Sequence, residues 1–128
     1  MINNSFKKVF ITGTAGFIGF HLSKLLLSKG YIVHGFDGMT DYYDVELKKR
    51  RNEQLLQNQF YDSTISMLED HTVLNSSISK FKPDVIIHLA AQAGVRYSIE
   101  NPKAYIDSNI IGTFNILEAA KEHNIKHL

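Results

Sequence analysis

Gly13, Gly16 and Gly19 stand in the run Thr12-Gly-Thr-Ala-Gly-Phe-Ile-Gly19, and this run constrains the fold more than any other feature of the chain. Before it lies a short β-branched and aromatic segment, Lys8 to Thr12, which reads as a buried strand. After it, Phe17 to Lys29 has helical periodicity, with Ile18, Leu22, Leu25 and Leu26 on one face and Gly30 as a C-terminal stop. In such a strand–loop–helix unit each glycine has a physical task. The first permits the tight turn, the second lets backbone approach a pyrophosphate, and the third allows close packing of helix on strand. The spacing is GxxGxxG rather than GxGxxG, a variant of the same device. The helix N-terminus then offers free N–H groups and a positive dipole end to an anion.

The rest of the chain continues the alternation. Tyr31 to Phe36 reads as a second strand closed by Asp37-Gly38. A polar, tyrosine-rich loop (Asp41, Tyr42, Tyr43, Asp44) follows, then a charged helix over Val45 to Gln57. Phe60 to Leu68 is a weaker strand, and Asp70 to Phe81 a third helix. Pro83-Asp84 marks a turn before the most apolar strand, Val85 to Leu89. Asn101-Pro102 opens a long helix through Glu122, with proline at its first turn and Ile106, Ile110, Phe114 and Leu117 as an apolar stripe. Ile125 to Leu128 reads as the start of one more strand. Strands that alternate with helices are parallel and need helices on both faces. The expected fold is therefore α/β, a Rossmann-type doubly wound parallel sheet, partial, with about four to five strands.

Composition excludes several alternatives. The chain of 128 residues is 44% hydrophobic and 21% charged, in the range of ordinary globular proteins, and is one domain long. A formal net charge of +1 gives no field that would draw nucleic acid or an anionic membrane. There are no cysteines, hence no disulfides or thiolate chemistry. Met1 to Lys8 is polar and carries no signal-peptide pattern, and no apolar run approaches a membrane span. The expectation is a cytoplasmic protein with no membrane or nucleic-acid partner. The six histidines have no ligand-like spacing, so no metal is expected.

Asp37 ends the second strand about twenty residues beyond the glycine loop, where a carboxylate accepts the ribose hydroxyls of an adenosine. An Asp-Gly turn is the plainer role for the same residue. A carboxylate at this point repels a 2′-phosphate, and Gly38, Met39 and Thr40 supply no cation to offset it, so NAD is expected over NADP. Lys48-Lys49-Arg50-Arg51 reads as a solvated helix face. Leu89, Ala90 and Ala91, after the most apolar strand, are small or apolar and would let a flat cofactor lie against backbone. Gln92, Arg96 and Tyr97 are polar groups that could face a substrate.

The runs TGTAGFIG, DGMTDYYD, HLAAQAGVRYS and YIDSNIIGTFNILE together resemble the extended short-chain dehydrogenase/reductase family of NAD-dependent epimerases and dehydratases. Within it the chain is most similar to the nucleotide-sugar 4-epimerases that act on UDP-glucuronate. The resemblance spans nearly the whole chain. It implies a phosphate loop at Gly13, Gly16, Phe17, Ile18 and Gly19, and a ribose-binding acid at Asp37, followed by Gly38. It implies an adenine contact at Met67 and Leu68, and a stretch lining adenosine and nicotinamide ribose at Leu89, Ala90, Ala91 and Gln92. Asn109 matches a helix asparagine that supports the cofactor site, with helix packing as its other role. Arg96 is placed on the substrate side, against a structural ion pair. Two departures from the family pattern stand out. Met67 occupies a position where many relatives carry aspartate for the adenine amino group, and Gly38 replaces the usual asparagine.

The resemblance also implies a reaction. Family members oxidise a sugar at C4 by hydride transfer to NAD and return the hydride to the other face of a 4-keto intermediate. A Tyr-x-x-x-Lys pair and a nearby Ser or Thr handle the protons. The residues four after Tyr31, Tyr42, Tyr43, Tyr61, Tyr97 and Tyr105 are Gly35, Glu46, Leu47, Ile65, Asn101 and Asn109, and none is lysine. The expectation is a single NAD-binding domain over 1–128, truncated before the catalytic and substrate-binding part and inactive alone. The parent enzyme would be a homodimer that interconverts UDP-glucuronate and UDP-galacturonate for polysaccharide biosynthesis. A 4,6-dehydratase, another 4-epimerase, or a non-catalytic NAD-binding module are the alternatives.

Overall fold

A computed structural model describes residues 6–128; the reading of the N-terminal stretch falls, over residues 1–5, outside the described residues. Four parallel strands alternate with helices: β1 (Lys8–Thr12), α1 (Phe17–Ser28), β2 (Ile32–Asp37), α2 (Val45–Leu56), β3 (Tyr61–Ile65), α3 (His71–Phe81) and β4 (Val85–His88). Two one-turn helices follow, α4 (Tyr97–Glu100) and α5 (Pro102–Tyr105), then a π-helical turn over Ile106–Ile111 that runs into α6 (Gly112–Glu122). The sheet order is β3-β2-β1-β4. This is the Rossmann-type sheet expected. Because β1 pairs with β2 on one side and β4 on the other, the connections leave β1 in opposite directions, and a crevice opens at the carboxyl ends of the strands. Ile86 N donates to His127 O, and Val85 bridges His127 in parallel, so the last residues do lie along β4.

The sheet is covered on both faces. On one, Val9, Ile11 and Val33 pack with Phe20 and Leu27 of α1, Leu55 of α2, and Tyr61. On the other, Phe10, Phe36 and Ile86 pack with Leu74 and Ile78 of α3 and Ile116 and Ala119 of α6. Alternate residues of β1 thus serve opposite faces, as the period of a strand requires. Asp70 caps α3, its carboxylate accepting from Val73 N.

Two helix faces differ from the periodicity reading. In α1 the buried residues are Gly19, Phe20, Ser23 and Leu27; of the expected face Leu22 and Leu26 pack partly buried against the core, while Ile18 is 66% and Leu25 52% exposed. The small residues Gly19 and Ser23 let α1 approach the sheet closely, so the helix turns that side inward. In the last helix the buried residues are Gly112, Asn115, Ile116 and Ala119, and Ile106, Ile110, Phe114 and Leu117 are exposed. The single helix expected from Asn101 to Glu122 is also broken into segments. Its π-helical turn adds a residue to one turn and so rotates the face downstream. The third strand stops at Ile65, short of the expected Leu68, with Ser66 N donating to Asp37 O as the last bond along β2.

Candidate functional site

Gly13 leaves β1 with φ +81, a left-handed conformation that favours glycine, and its N–H donates to Phe36 O at 2.8 Å. A Cβ on Gly13 would lie 3.0 Å from Ala90 N. At Gly19 the space is closed altogether: a Cβ would sit 2.1 Å from Gly13 O and 2.7 Å from Gly13 C. The first and third glycines are therefore pressed together by backbone. Gly16 is the N-cap of α1 and offers no side-chain acceptor, and the first turn holds no acidic residue. The leading amides of α1 keep their donors for an outside acceptor.

Asp37, at the end of β2, faces this loop. Its Oδ2 accepts from Ala15 N at 3.0 Å and its Oδ1 from Met39 N at 2.8 Å. The second bond is the Asx turn anticipated for Asp-Gly, and it holds Met39 at φ +50. Each carboxylate oxygen retains acceptor capacity beyond these bonds.

The strand-four loop is pinned by Thr12. Its Oγ1 accepts from both Leu89 N and Ala90 N at 3.0 Å and lies 2.7 Å from His88 Nδ1. With its oxygen filled by two N–H donors, the hydroxyl proton goes to Nδ1. His88 is then the Nε2–H tautomer, which donates to Thr113 Oγ1 at 3.0 Å. Burial holds its pKa below the ordinary value, in keeping with a neutral ring. His88 is thus held in a local hydrogen-bond chain between Thr12 and Thr113. One step further on, Asn109 clamps Gln92 through both backbone groups: Oδ1 accepts from Gln92 N at 2.8 Å and Nδ2 donates to Gln92 O at 3.0 Å.

These pieces line one open cleft. Its wall brings together Gly13, Gly16, Asp37, Gly38, Met67, Leu68, Leu89, Ala90, Ala91 and Gln92 of the expected site residues. Others stand apart. Phe17 and Ile18 are more than half exposed and do not line it. Gly19 packs beneath it, and Asn109 acts through Gln92. Arg96 is exposed and, among the described residues, makes no side-chain hydrogen bond or ion pair. Tyr97 is held between Tyr42 and Tyr105, at ring distances of 5.0 and 6.3 Å, and Asn101 donates to its hydroxyl. Glu69 lines an adjoining hollow with Met67, and its Oε2 is buried without a hydrogen-bond partner.

Sequence reasoning missed the two basic residues of α2 that bear on the cleft, one in its wall and one behind the glycine loop. Lys48, read as part of a solvated face, is 6% exposed and lines the wall beside Asp37. Arg51 is half-buried, and its Nη1 donates to Ala15 O of the glycine loop at 3.0 Å. The available signal was the spacing of Lys48, Asn52 and Leu55, one helical stripe that ends in an apolar residue. Only Lys49 and Arg50 of that run are exposed as expected.

The two departures noted in the sequence are physically one. A Cβ on Gly38 would lie 2.2 Å from Met67 Sδ, so the thioether occupies the space that a side chain at 38 would need. We expect Gly38→Asn alone to weaken adenosine-containing ligands, Met67→Asp alone to do so less, and the double variant to bind better than the product of the single losses. The check is a double-mutant cycle by titration, with a coupling of roughly 1 kcal/mol; strict additivity would mean that the positions are independent.

The family described as GDP-mannose 4,6 dehydratase matches residues 10–128. A probable UDP-glucuronate 4-epimerase of Rhizobium meliloti (strain 1021) is 55% identical over 121 residues, covering 94% of this chain and 36% of its own length. The UDP-glucuronate 4-epimerase of Thermodesulfobacterium geofontis (strain OPF15) is 42% identical, covering 92% of this chain and 36% of its own. Among solved structures, a UDP-glucuronic acid 4-epimerase from Bacillus cereus, in complex with UDP-glucuronic acid and NAD, superposes with a TM-score of 0.83. It is 34% identical and covers 94% of this chain and 37% of that one. The chain thus spans a little over a third of the length of these relatives. The match over residues 10–128, on a Rossmann sheet whose glycine loop and β2 acid face one cleft, places the chain in the GDP-mannose 4,6 dehydratase family of NAD-dependent epimerases and dehydratases.

Proposed function

We propose that this chain is the NAD-binding part of a nucleotide-sugar 4-epimerase that interconverts UDP-glucuronate and UDP-galacturonate. The observation that carries the reading is the shared cleft of the glycine loop, Asp37 and the strand-four loop. The residues suit a dinucleotide. Glycine at 13 lets the loop turn against Ala90, glycine at 16 keeps side-chain atoms away from the helix N-terminus, and the amides of Phe17 and Ile18 are free to donate to a diphosphate. Asp37 accepts the ribose hydroxyls with the oxygen capacity left by Ala15 and Met39. Met67 and Leu68 pack on the adenine, and Leu89, Ala90, Ala91 and Gln92 form the floor towards the nicotinamide ribose.

When bound, NAD supplies a hydride acceptor that later returns the hydride. The part of this chain is to bind, orient and exclude water. Thr12 and His88 fix the first residues of the strand-four loop, and Asn109 fixes Gln92, so the floor is set before a ligand arrives. Arg96, exposed and free of an ion pair, is assigned to the sugar side. The catalytic Tyr-x-x-x-Lys pair is assigned to a part of the parent protein beyond these residues.

The family's own description favours a second reading, a 4,6-dehydratase that shares this part. Product analysis of the parent protein separates them. With UDP-glucuronate and NAD we expect UDP-galacturonate. A 4-keto-6-deoxy product from a nucleotide hexose, without epimerisation of UDP-glucuronate, would replace the epimerase reading with the second one.

A further inference from the structure

We propose that Lys48 binds the diphosphate of the cofactor, alongside the N-terminus of α1. This rests on the reading above that the cleft holds NAD. Lys48 sits on α2, a helix whose other lysine and arginine side chains near it face outward or towards the loop. It is 6% exposed, as deeply placed as many core residues. Its Nζ lies 4.5 Å from the centre of the Tyr43 ring and donates to Thr40 Oγ1 at 3.2 Å. The ion pairs among the described residues are Lys49–Glu46 and Lys103–Asp107, so Lys48 has no carboxylate partner.

An ammonium removed from water without an anion is costly, and buried charges are as a rule paired or neutralised. One hydroxyl and one ring face satisfy only part of three N–H donors. Lys48 lines the same cleft as Gly13, Gly16 and Asp37, so an anion entering there comes within reach of its remaining donors. Asp37, the carboxylate of that wall, is already turned to Ala15 N and Met39 N. What the ammonium lacks is an anion that enters from outside, and the uncapped amides of α1 ask for the same group. A diphosphate satisfies both.

Arg51 makes this placement rigid. Its guanidinium ties α2 to the glycine loop at Ala15 O and also donates to Tyr43 Oη at 3.3 Å. Tyr43 is thereby held under the Lys48 ammonium. The lysine is presented on a fixed platform and does not have to be ordered when the ligand binds.

The test is calorimetric titration of the protein with ADP, NAD, adenosine and 2′,5′-ADP, for the wild type, Lys48→Met and Lys48→Arg. We expect Lys48→Met to bind ADP and NAD about tenfold or more weakly with adenosine unchanged, and Lys48→Arg to recover most of the loss. A second measurement needs no variant: the side-chain NMR signals of Lys48 in the wild type shift on addition of ADP and not of adenosine. Wild-type and Lys48→Met affinities for ADP within twofold, or signals unmoved by ADP, would overturn the proposal while leaving NAD binding intact. A loss confined to 2′,5′-ADP would overturn the diphosphate assignment, and so would an equal loss for adenosine. Absence of wild-type binding to NAD would instead remove the reading on which the proposal rests.

Discussion

Gly19→Ala is expected to destabilise the protein by roughly 3 kcal/mol and to abolish measurable NAD binding. The added methyl would meet Gly13 O at 2.1 Å and Gly13 C at 2.7 Å. Both atoms belong to backbone, which cannot rotate away as a flexible side chain would. Relief requires α1 to retreat from β1, and that withdraws the helix amides from the cleft and opens the packing of Phe20 and Leu27. Gly30→Ala is the control. Gly30 has a positive φ, at +86, which helical Gly19 does not, but a Cβ there meets nothing within 4 Å. It should cost only the conformational strain, about 1 kcal/mol, and leave binding unchanged. Thermal unfolding of the two variants checks this. Equal losses would show that the contact between a side chain at 19 and the Gly13 backbone is relieved without moving α1.

Replacing Asp37 has the second large effect. In Asp37→Ala, Ala15 N and Met39 N lose their acceptor, and a ribose loses its anchor. Hydrogen bonds to a charged group are worth about 1.5–3 kcal/mol each, so NAD should bind roughly 10- to 100-fold more weakly. Part of that loss passes through the loop. Asp37→Asn separates the two, since its carbonyl keeps one acceptor while the charge is gone. Both variants should also lose discrimination against NADP, because the charge that repels a 2′-phosphate is absent and Lys48 remains nearby. NAD affinity that is unchanged in Asp37→Ala would reduce the acid to a turn former.

How much of this was readable depended on range. The glycine loop and Asp37 are local devices: a turn at φ +81 and an Asx turn are written in neighbouring residues, and the structure has both. The helix faces were harder, because periodicity selects the bulkiest apolar residues. Burial in α1 and α6 instead follows Gly19, Ser23, Gly112 and Asn115, whose small or bonded side chains permit close approach. Asn115, for example, donates from Nδ2 to Leu68 O at 2.8 Å. The π-helical turn over Ile106–Ile111 shifts the downstream face, and no local residue type announces it. Lys48 was misread for a related reason. Charge predicts solvation on average, but the position of Lys48 on the inner stripe of α2 is a property of how that helix docks.

Gly38 and Met67 show a different limit. Each departs from the family pattern, and each in isolation weakens the match. Their connection exists only in space, where the sulfur fills the place of a side chain at 38. A pair read as two losses is one exchange of packing.

The central claim is that this cleft selects NAD. Calorimetric titration of the unmodified protein with NAD and with NADP tests it most directly. The account predicts saturable one-to-one binding of NAD, at least about tenfold tighter than NADP, from the repulsion between the Asp37 carboxylate and a 2′-phosphate. NADP binding as tight as NAD, or no saturable binding of NAD, would contradict it.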